Sequence, residues 1–172
     1  TFPSHHPDPT DPKNLKEIIS IVKGQKFDVG FAFDGDGDRL GLVSGSGKII
    51  WGDQIVALLS QEVLKALPNS PIIADVKASQ NLFNEIKRLG GIPIMWKTGH
   101  SFIKLKMKEI SAPLAGEMSG HIFFSDRYYG YDDGIYAALR VLELINDNYT
   151  LDDFLNSFPK SFSTQEIRIE CS

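Results

Sequence analysis

Residues 71–116 read PIIADVKASQNLFNEIKRLGGIPIMWKTGHSFIKLKMKEISAPLAG. Ile72–Val76 is a short apolar run and reads as a buried strand. Ser79 stands where an N-cap belongs, ahead of a helical segment to Leu89. Gly90-Gly91 turns the chain, Ile92–Trp96 is a second strand, Ser101–Ile110 a second helix, and Pro113–Gly116 opens a third strand. This alternation marks a mixed, mostly parallel sheet covered by helices, so the fold class is α/β.

Working outward toward the C-terminus, Ile122–Phe124 adds a short strand, expected antiparallel. Asp132–Asn146 predicts a helix, and Thr150-Leu-Asp-Asp153 has the form of a capping box for a last short one. Thr164–Glu170 alternates, with Ile167 and Ile169 on one face. Toward the N-terminus, Asp53 is the expected N-cap of a helix through Ala66, ended by Pro68. Lys48–Trp51, Leu40–Val43 and Val29–Phe33 read as strands, with Ser44–Gly47 a turn. Leu15, Ile18, Ile19 and Val22 form a helical stripe that Gly24 is expected to end. Residues 1–12 are a Pro-rich loop. The expected division is 1–47, an incomplete α/β unit; 48–160, a fairly complete one; and 161–172, a linker.

Composition narrows the class. The 172 residues carry 18 Lys plus Arg against 22 Asp plus Glu, a net charge of −4, and this mild acidity argues against a nucleic-acid partner. No apolar run approaches the ~20 residues that span a bilayer, and no signal peptide is read, so no membrane partner is expected. The single cysteine, Cys171, excludes an intramolecular disulfide and fits a cytoplasmic location. The chain begins at Thr1 rather than Met, and is expected to be a piece of something longer.

The strongest chemical signal is Phe33-Asp34-Gly35-Asp36-Gly37-Asp38-Arg39. Three carboxylates alternate with glycines that let the loop bend, so all three can converge. Converging carboxylates repel unless a cation sits among them, and hard oxygen ligands suit Mg²⁺ or Ca²⁺. An EF-hand is excluded, because counting from Asp34 the required Gly and Glu positions hold Arg39 and Gly45. Arg39 adds a planar cation suited to phosphate. The plain alternative is an acidic turn in water.

Three further candidates follow the three strands of the opening stretch, where open α/β sheets gather ligands. Lys77 follows the first and is a candidate acid or base. Thr98-Gly99-His100 follows the second, where N–H groups at a helix start favour anions. Lys104, Lys106 and Lys108 beyond it read as a solvated helix face. Glu117, Ser119 and His121 follow the third at every second position, offering an acceptor, a hydroxyl and an imidazole to sugar hydroxyls. Gly41…Gly47-Lys48 is no Walker loop, Ser119 is one place too late for a nucleophile elbow, and His5-His6 reads as polar loop.

In this order and spacing, FPSHHPDP, AFDGDGDR, DVKAS, WKTGH, GEMSGH and YYGYDDGIY resemble the α-D-phosphohexomutase family, most closely its bacterial phosphomannomutase/phosphoglucomutase branch. The resemblance implies an enzyme that moves phosphate between the 1- and 6-positions of a hexose phosphate. The route is a phosphoserine, hence a phosphoprotein, and a hexose 1,6-bisphosphate intermediate. It implies Mg²⁺ held by Asp34, Asp36 and Asp38, catalytic roles for Arg39, Lys77 and His100, a sugar grip by Glu117 and Ser119, and His100 and His121 lining the site. The family's Thr-Ala-Ser-His-Asn-Pro serine loop has no counterpart here. The segment corresponds to part of the second domain, the third, and a linker toward the fourth. Domains one and four are its expected partners, and it is expected to be inactive alone. Gln165 stands where relatives often have Pro, and DVKAS departs from DVKCT while keeping Lys77. Glu117-Met118-Ser119 differs from the Glu-Gln-Ser of phosphoglucosamine mutases. Mannose against glucose stays open. Two rivals share some of these features: a haloacid-dehalogenase-type phosphatase with Asp34 as nucleophile and the Asp132-Asp133 pair, and a non-catalytic metal- or sugar-binding module.

Overall fold

The structure, a computed structural model, describes residues 5–146 and 148–160. The strand expected at Thr164–Glu170, the linker, Cys171 and the start of FPSHHPDP lie outside the described residues.

Two sheets form the molecule. The first has the order β1-β2-β3, all antiparallel, built from β1 (Val29–Phe33), β2 (Leu40–Ser44) and β3 (Ile49–Ile50), with α1 (Lys16–Gln25) packed on it. The second has the order β5-β4-β6-β7. Its strands are β4 (Pro71–Asp75), β5 (Ile92–Trp96), β6 (Leu114–Gly116) and β7 (Ile122–Phe124). β4 pairs in parallel with both β5 and β6, and β7 closes antiparallel on β6, as the sequence predicts. The helices are α2 (Gly52–Ala66), α3 (Gln80–Arg88), α4 (His100–Ile110), α5 (Gly134–Leu144) and α6 (Leu151–Ser157).

Strand alternation sorts the core into two layers. Ile72, Ala74, Leu114, Ile122 and Phe124 pack with Val56, Leu59, Leu82, Ala137 and Val141 from α2, α3 and α5. Ile73, Ala115 and Phe123 face the other way, onto Ile103 and Met107 of α4. The first layer continues through Leu40, Leu42 and Ile50 of the first sheet. Inside it, Arg140 is only 2% exposed, with Glu62 and Asp126 bonded to its guanidinium and the Phe124 ring 4.2 Å away. Such a buried charge is tolerable only when paired this completely.

Several expected boundaries move, each for a local reason. α1 runs through Gly24, whose surroundings are open, and ends where Lys26 takes φ 58°. A lone glycine costs a helix about 1 kcal/mol but does not break it. α2 starts with Trp51, not Asp53, in the N-cap position, and the Trp51 N–H donates to Gln54 Oε1 at 3.0 Å. Asp53 instead accepts from the Ser79 N–H at 3.1 Å. Ser79 does occupy the N-cap position of α3, but its hydroxyl is buried without a hydrogen-bond partner among the described residues. α5 begins after Asp133, whose carboxylate accepts from the Tyr136 N–H at 2.8 Å, because Asp132 is held as a strand residue opposite Phe123. The Thr150–Asp153 capping box forms as expected, with both reciprocal bonds present.

Candidate active site

The acidic loop leaves β1 at Phe33 and re-enters the sheet at Leu40. Asp34 organises it. Its Oδ1 accepts from the N–H groups of Gly37 and Arg39, both at 3.1 Å, and its Oδ2 from Arg39 Nε at 2.6 Å. Gly37 supplies the left-handed turn with φ 78°. The carboxylates of Asp34, Asp36 and Asp38 converge, with one oxygen of each within 4.8 Å of the others. The Asp34 side chain is 3% exposed. Burial opposes its ionisation, but the Arg39 hydrogen bonds and charge outweigh that and hold it below the ordinary carboxylate range. Asp38 goes the other way. Burial raises it, and the charges of Asp34 and Asp36 raise it against the pull of His121. That is the electrostatic signature of crowded carboxylates. Three hard oxygen donors with this spacing fit a divalent cation, so the residues present suit the metal the resemblance implies.

The loop is clamped by backbone. The Leu40 N–H donates to Gly120 O at 2.9 Å, and Arg39 pairs with His121 in an isolated antiparallel bridge. Gly120 has φ 91°, and a Cβ there would sit 2.8 Å from Leu40 O. On the other flank the Gly134 N–H donates to Gly37 O at 3.0 Å. The acidic loop therefore abuts the loop after β6.

At the carboxyl ends of β4, β5 and β6, Thr98 meets Asp75 and Gly99 meets Glu117. Asp75 closes β4, is 1% exposed, and accepts from Thr98 Oγ1 at 3.3 Å, while its Oδ1 has no hydrogen-bond partner among the described residues. Burial and then the charge of Glu117 push the Asp75 carboxyl up, against the Met118 amide, Thr98 and Lys77. Glu117, 3% exposed, accepts from the Gly99 N–H at 2.6 Å. Lys77 is exposed in the turn after β4, and Ser119 is half-buried.

His121 and His100 stack with ring centroids 5.8 Å apart. His121 Nδ1 lies 2.8 Å from Asp132 Oδ2 and 3.9 Å from Asp38 Oδ2. Burial lowers the His121 pKa, but Asp132 and Asp38 more than offset it and leave it raised. Lys104 corrects the expectation of a solvated face, since its Nζ is 2.8 Å from Asp132 Oδ1 and 3.0 Å from His100 Nδ1. Lys106 departs too, lying over the Trp96 ring at 4.5 Å and bonding Glu109, whereas Lys108 is exposed. His5 and His6 are exposed loop residues, as expected, and His6 borders a shallow cavity of about 360 Å³ with Pro7, Asp34, Gly35, Asp36 and Arg39.

Asp75, and the contacts that Lys104 and Asp132 make with the histidines, are what the sequence alone did not show. Lys104 was legible as the i,i+4 neighbour of His100. Asp132 is brought in only by the tertiary fold.

Fold and side chains together define a class: an α/β/α protein with a polar, carboxylate-rich cluster at the carboxyl ends of a parallel sheet. Residues 51–162 match the family described as "Phosphoglucomutase/phosphomannomutase, alpha/beta/alpha domain III", and residues 1–47 match its domain II. The chain is 51% identical over 169 residues to a phosphomannomutase/phosphoglucomutase of Pseudomonas aeruginosa, covering 98% of this chain and 36% of that protein. It is 50% identical to a phosphoglucomutase of Neisseria meningitidis, covering 98% of this chain and 37% of that one. A crystal structure of a phosphoglucomutase/phosphomannomutase family protein from Burkholderia thailandensis superposes with a TM-score of 0.88 at 49% identity, covering 95% of this chain and 36% of that one. The chain belongs to the phosphoglucomutase/phosphomannomutase family, in its bacterial branch. It spans little more than a third of the length of these relatives. No helix among the described residues is long and apolar enough to cross a membrane.

Proposed function

We propose that this chain is the metal- and sugar-binding part of a phosphohexomutase that interconverts hexose 1-phosphate and hexose 6-phosphate, of mannose, glucose or both. The observation that carries the reading is the backbone rung that sets the converged Asp34, Asp36 and Asp38 carboxylates against the loop holding Glu117, Ser119 and His121. Residues 1–47 would be the end of domain two, 48–160 domain three, and 161–172 a linker toward domain four.

Asp34, Asp36 and Asp38 would hold Mg²⁺, which when bound offsets the charge on a transferring phosphoryl group. The phosphoryl group passes from a serine, supplied by a domain outside these 172 residues, to a sugar hydroxyl oxygen. The serine Oγ–P bond breaks as the sugar O–P bond forms; the hydroxyl proton leaves to a base, for which His121 and Lys77 are the candidates here, and the freed serine oxygen takes up a proton. Arg39 lines the cavity beside Asp34 and Asp36, and a guanidinium has donors to spare for phosphate oxygens after one is committed to Asp34. Glu117 keeps acceptor capacity for sugar hydroxyls beyond its bond to Gly99, and Ser119, two residues further along the same loop, would add a hydroxyl. Thr98, Gly99 and His100 open α4 toward the same crevice, where an anion is favoured. The bisphosphate intermediate then turns over so that its other phosphate meets the serine. The phosphatase reading, with Asp34 as nucleophile, is the weaker one, since residues 51–162 match the phosphoglucomutase/phosphomannomutase domain III.

Calorimetric titration of Mg²⁺ into the chain, with and without mannose 1-phosphate, tests this. Asp34→Asn is expected to weaken Mg²⁺ binding by about tenfold or more. The chain with Mg²⁺ and a hexose bisphosphate is expected to show no mutase turnover. Unchanged affinity in the variant, or robust turnover by these residues alone, would overturn the reading.

A further inference from the structure

Two histidines and one ion pair make a continuous polar chain along the crevice. The Asp132 side chain, 6% exposed, gives its two oxygens to different partners, Oδ2 to His121 Nδ1 and Oδ1 to Lys104 Nζ, each at 2.8 Å. Lys104 Nζ also reaches His100 Nδ1 at 3.0 Å. Asp132 Oδ2 is 3.7 Å from His100 Nδ1, too far for a hydrogen bond. The parts are rigidly carried. Asp132 pairs with Phe123 across a backbone bridge, and Asp133, next in sequence, caps α5. His121 is backed by the Phe123 ring at 6.4 Å, and His100 opens α4 one helical turn before Lys104.

The chemistry of the contacts settles which nitrogen carries each proton. An ionised carboxylate only accepts, so a neutral His121 must place its proton on Nδ1, leaving the Nε2 lone pair open. An ammonium only donates, so His100 Nδ1 must accept and its proton must sit on Nε2. One Asp–Lys pair thereby holds two stacked imidazoles in opposite tautomers. We propose that Asp132, braced by Lys104, is a positioning residue that gives the crevice one imidazole acceptor, His121 Nε2, and one imidazole donor, His100 Nε2–H, for the two ends of a sugar hydroxyl–phosphate exchange. A carboxylate that fixes the tautomer of a catalytic imidazole is a recurring device, and its loss costs rate more than binding. Lys104 extends the device to a second ring with the opposite assignment.

The proposal rests on the phosphohexomutase reading, so its test has an arm that needs no activity. Two-bond ¹H–¹⁵N spectra of the histidine-labelled chain, recorded at a pH where the imidazoles are neutral, are expected to show His121 protonated at Nδ1 and His100 at Nε2. Asp132→Asn is expected to shift His121 toward Nε2–H, and Asp132→Glu to keep Nδ1–H. Lys104→Met, on a half-exposed helix face, is expected to release the His100 assignment while leaving the fold intact. In the full-length enzyme that contains this segment, Asp132→Asn is expected to lower kcat by about 10²–10⁴-fold with KM changed less than about threefold, and Asp132→Glu to recover part of the loss. Nε2-protonated His121 in the unaltered chain overturns the proposal. An Asp132→Asn spectrum identical to the parent, or a kcat within threefold of it, does the same. A full-length enzyme without mutase activity whose spectra still behave as stated would sink the functional reading while upholding the hold of Asp132 on His121.

Discussion

At the scale of single residues, the glycines carry as much of the site as the carboxylates do. Gly120 combines a left-handed backbone with a backbone oxygen 2.8 Å from where a Cβ would stand, so no side chain can yield to make room. Gly120→Ala is expected to cost about 2 kcal/mol or more, from the unfavourable φ and the clash with Leu40 O. The drop would be read as a lowered urea midpoint at unchanged slope, and an unchanged midpoint would contradict it. Asp34, Asp36, Asp38 and Arg39 were legible because their spacing is itself the chemistry. So were Glu117 and His121, at alternate positions after a strand. Asp132 was not legible as a partner of His121, because nothing local in Tyr131-Asp132-Asp133 says which acid caps the helix and which faces the crevice. Asp75 was hidden in the same way, as an acid at the end of an apolar strand whose burial depends on β5 and β6 closing over it.

At the scale of elements, α6 shows how a correct local prediction leaves the tertiary role unread. Its capping box was legible, but the next-door acid does something no window reveals. Asp152 accepts from Ser44 Oγ at 3.0 Å and from the Ser46 N–H at 2.9 Å, with Lys48 Nζ 3.6 Å away, tying α6 to the β2–β3 turn. Burial opposes ionisation of Asp152, but the Ser46 and Ser44 hydrogen bonds and Lys48 outweigh it, and its pKa is lowered from 3.8. A group depressed on folding contributes stability that is full above its unfolded value and is lost as pH falls through the folded one. Asp152→Asn is therefore expected to lower stability by about 1 kcal/mol at pH 7 and to flatten the decline below about pH 4. Urea midpoints of parent and variant between pH 3 and 7 would show curves that converge at the acid end. Coincident curves would mean the tie contributes nothing, and parallel, displaced ones that its ionisation does not matter. The strands and helices of residues 71–116 were legible nearly to the residue, because apolar runs, glycines and helical stripes there all agree. The starts of α2 and α5 were not, because Asp53 is bound to the Ser79 N–H and Asp132 is held opposite Phe123, leaving the cap positions to Trp51 and Asp133.

At the scale of the whole molecule, the α/β class and the mostly parallel second sheet were legible from alternation alone. The joining of the two sheets was not. The division expected after residue 47 falls on a tight turn within one ladder, where Val43 pairs with Ile49 and Leu42 with Ile50. Leu40, Leu42 and Ile50 enter the same buried layer as Val56, Leu114 and Phe124. A shared core of this kind couples its parts, so unfolding is expected to be a single cooperative transition. Trp51, before α2, and Trp96, at the end of β5, offer one probe for each part. Trp51→Phe and Trp96→Phe variants, each keeping one fluorophore, are expected to give urea transitions that coincide with loss of the far-ultraviolet helix signal. Two separated transitions would show the sheets to be independent.

The bond from the Leu40 N–H to Gly120 O has a geometric consequence for any ligand. It leaves the acidic loop and the Glu117–His121 loop only the ~0.5 Å of slack that a hydrogen bond tolerates. The two loops therefore act as one rigid jaw. A ligand that has to offer first one end and then the other to the acidic loop gains no help from these two loops parting, and must tumble by its own motion or be turned by segments that this rung does not tie down. The Leu40 amide is in effect a gauge of that jaw, its deuterium exchange timing every occasion on which the two loops let go.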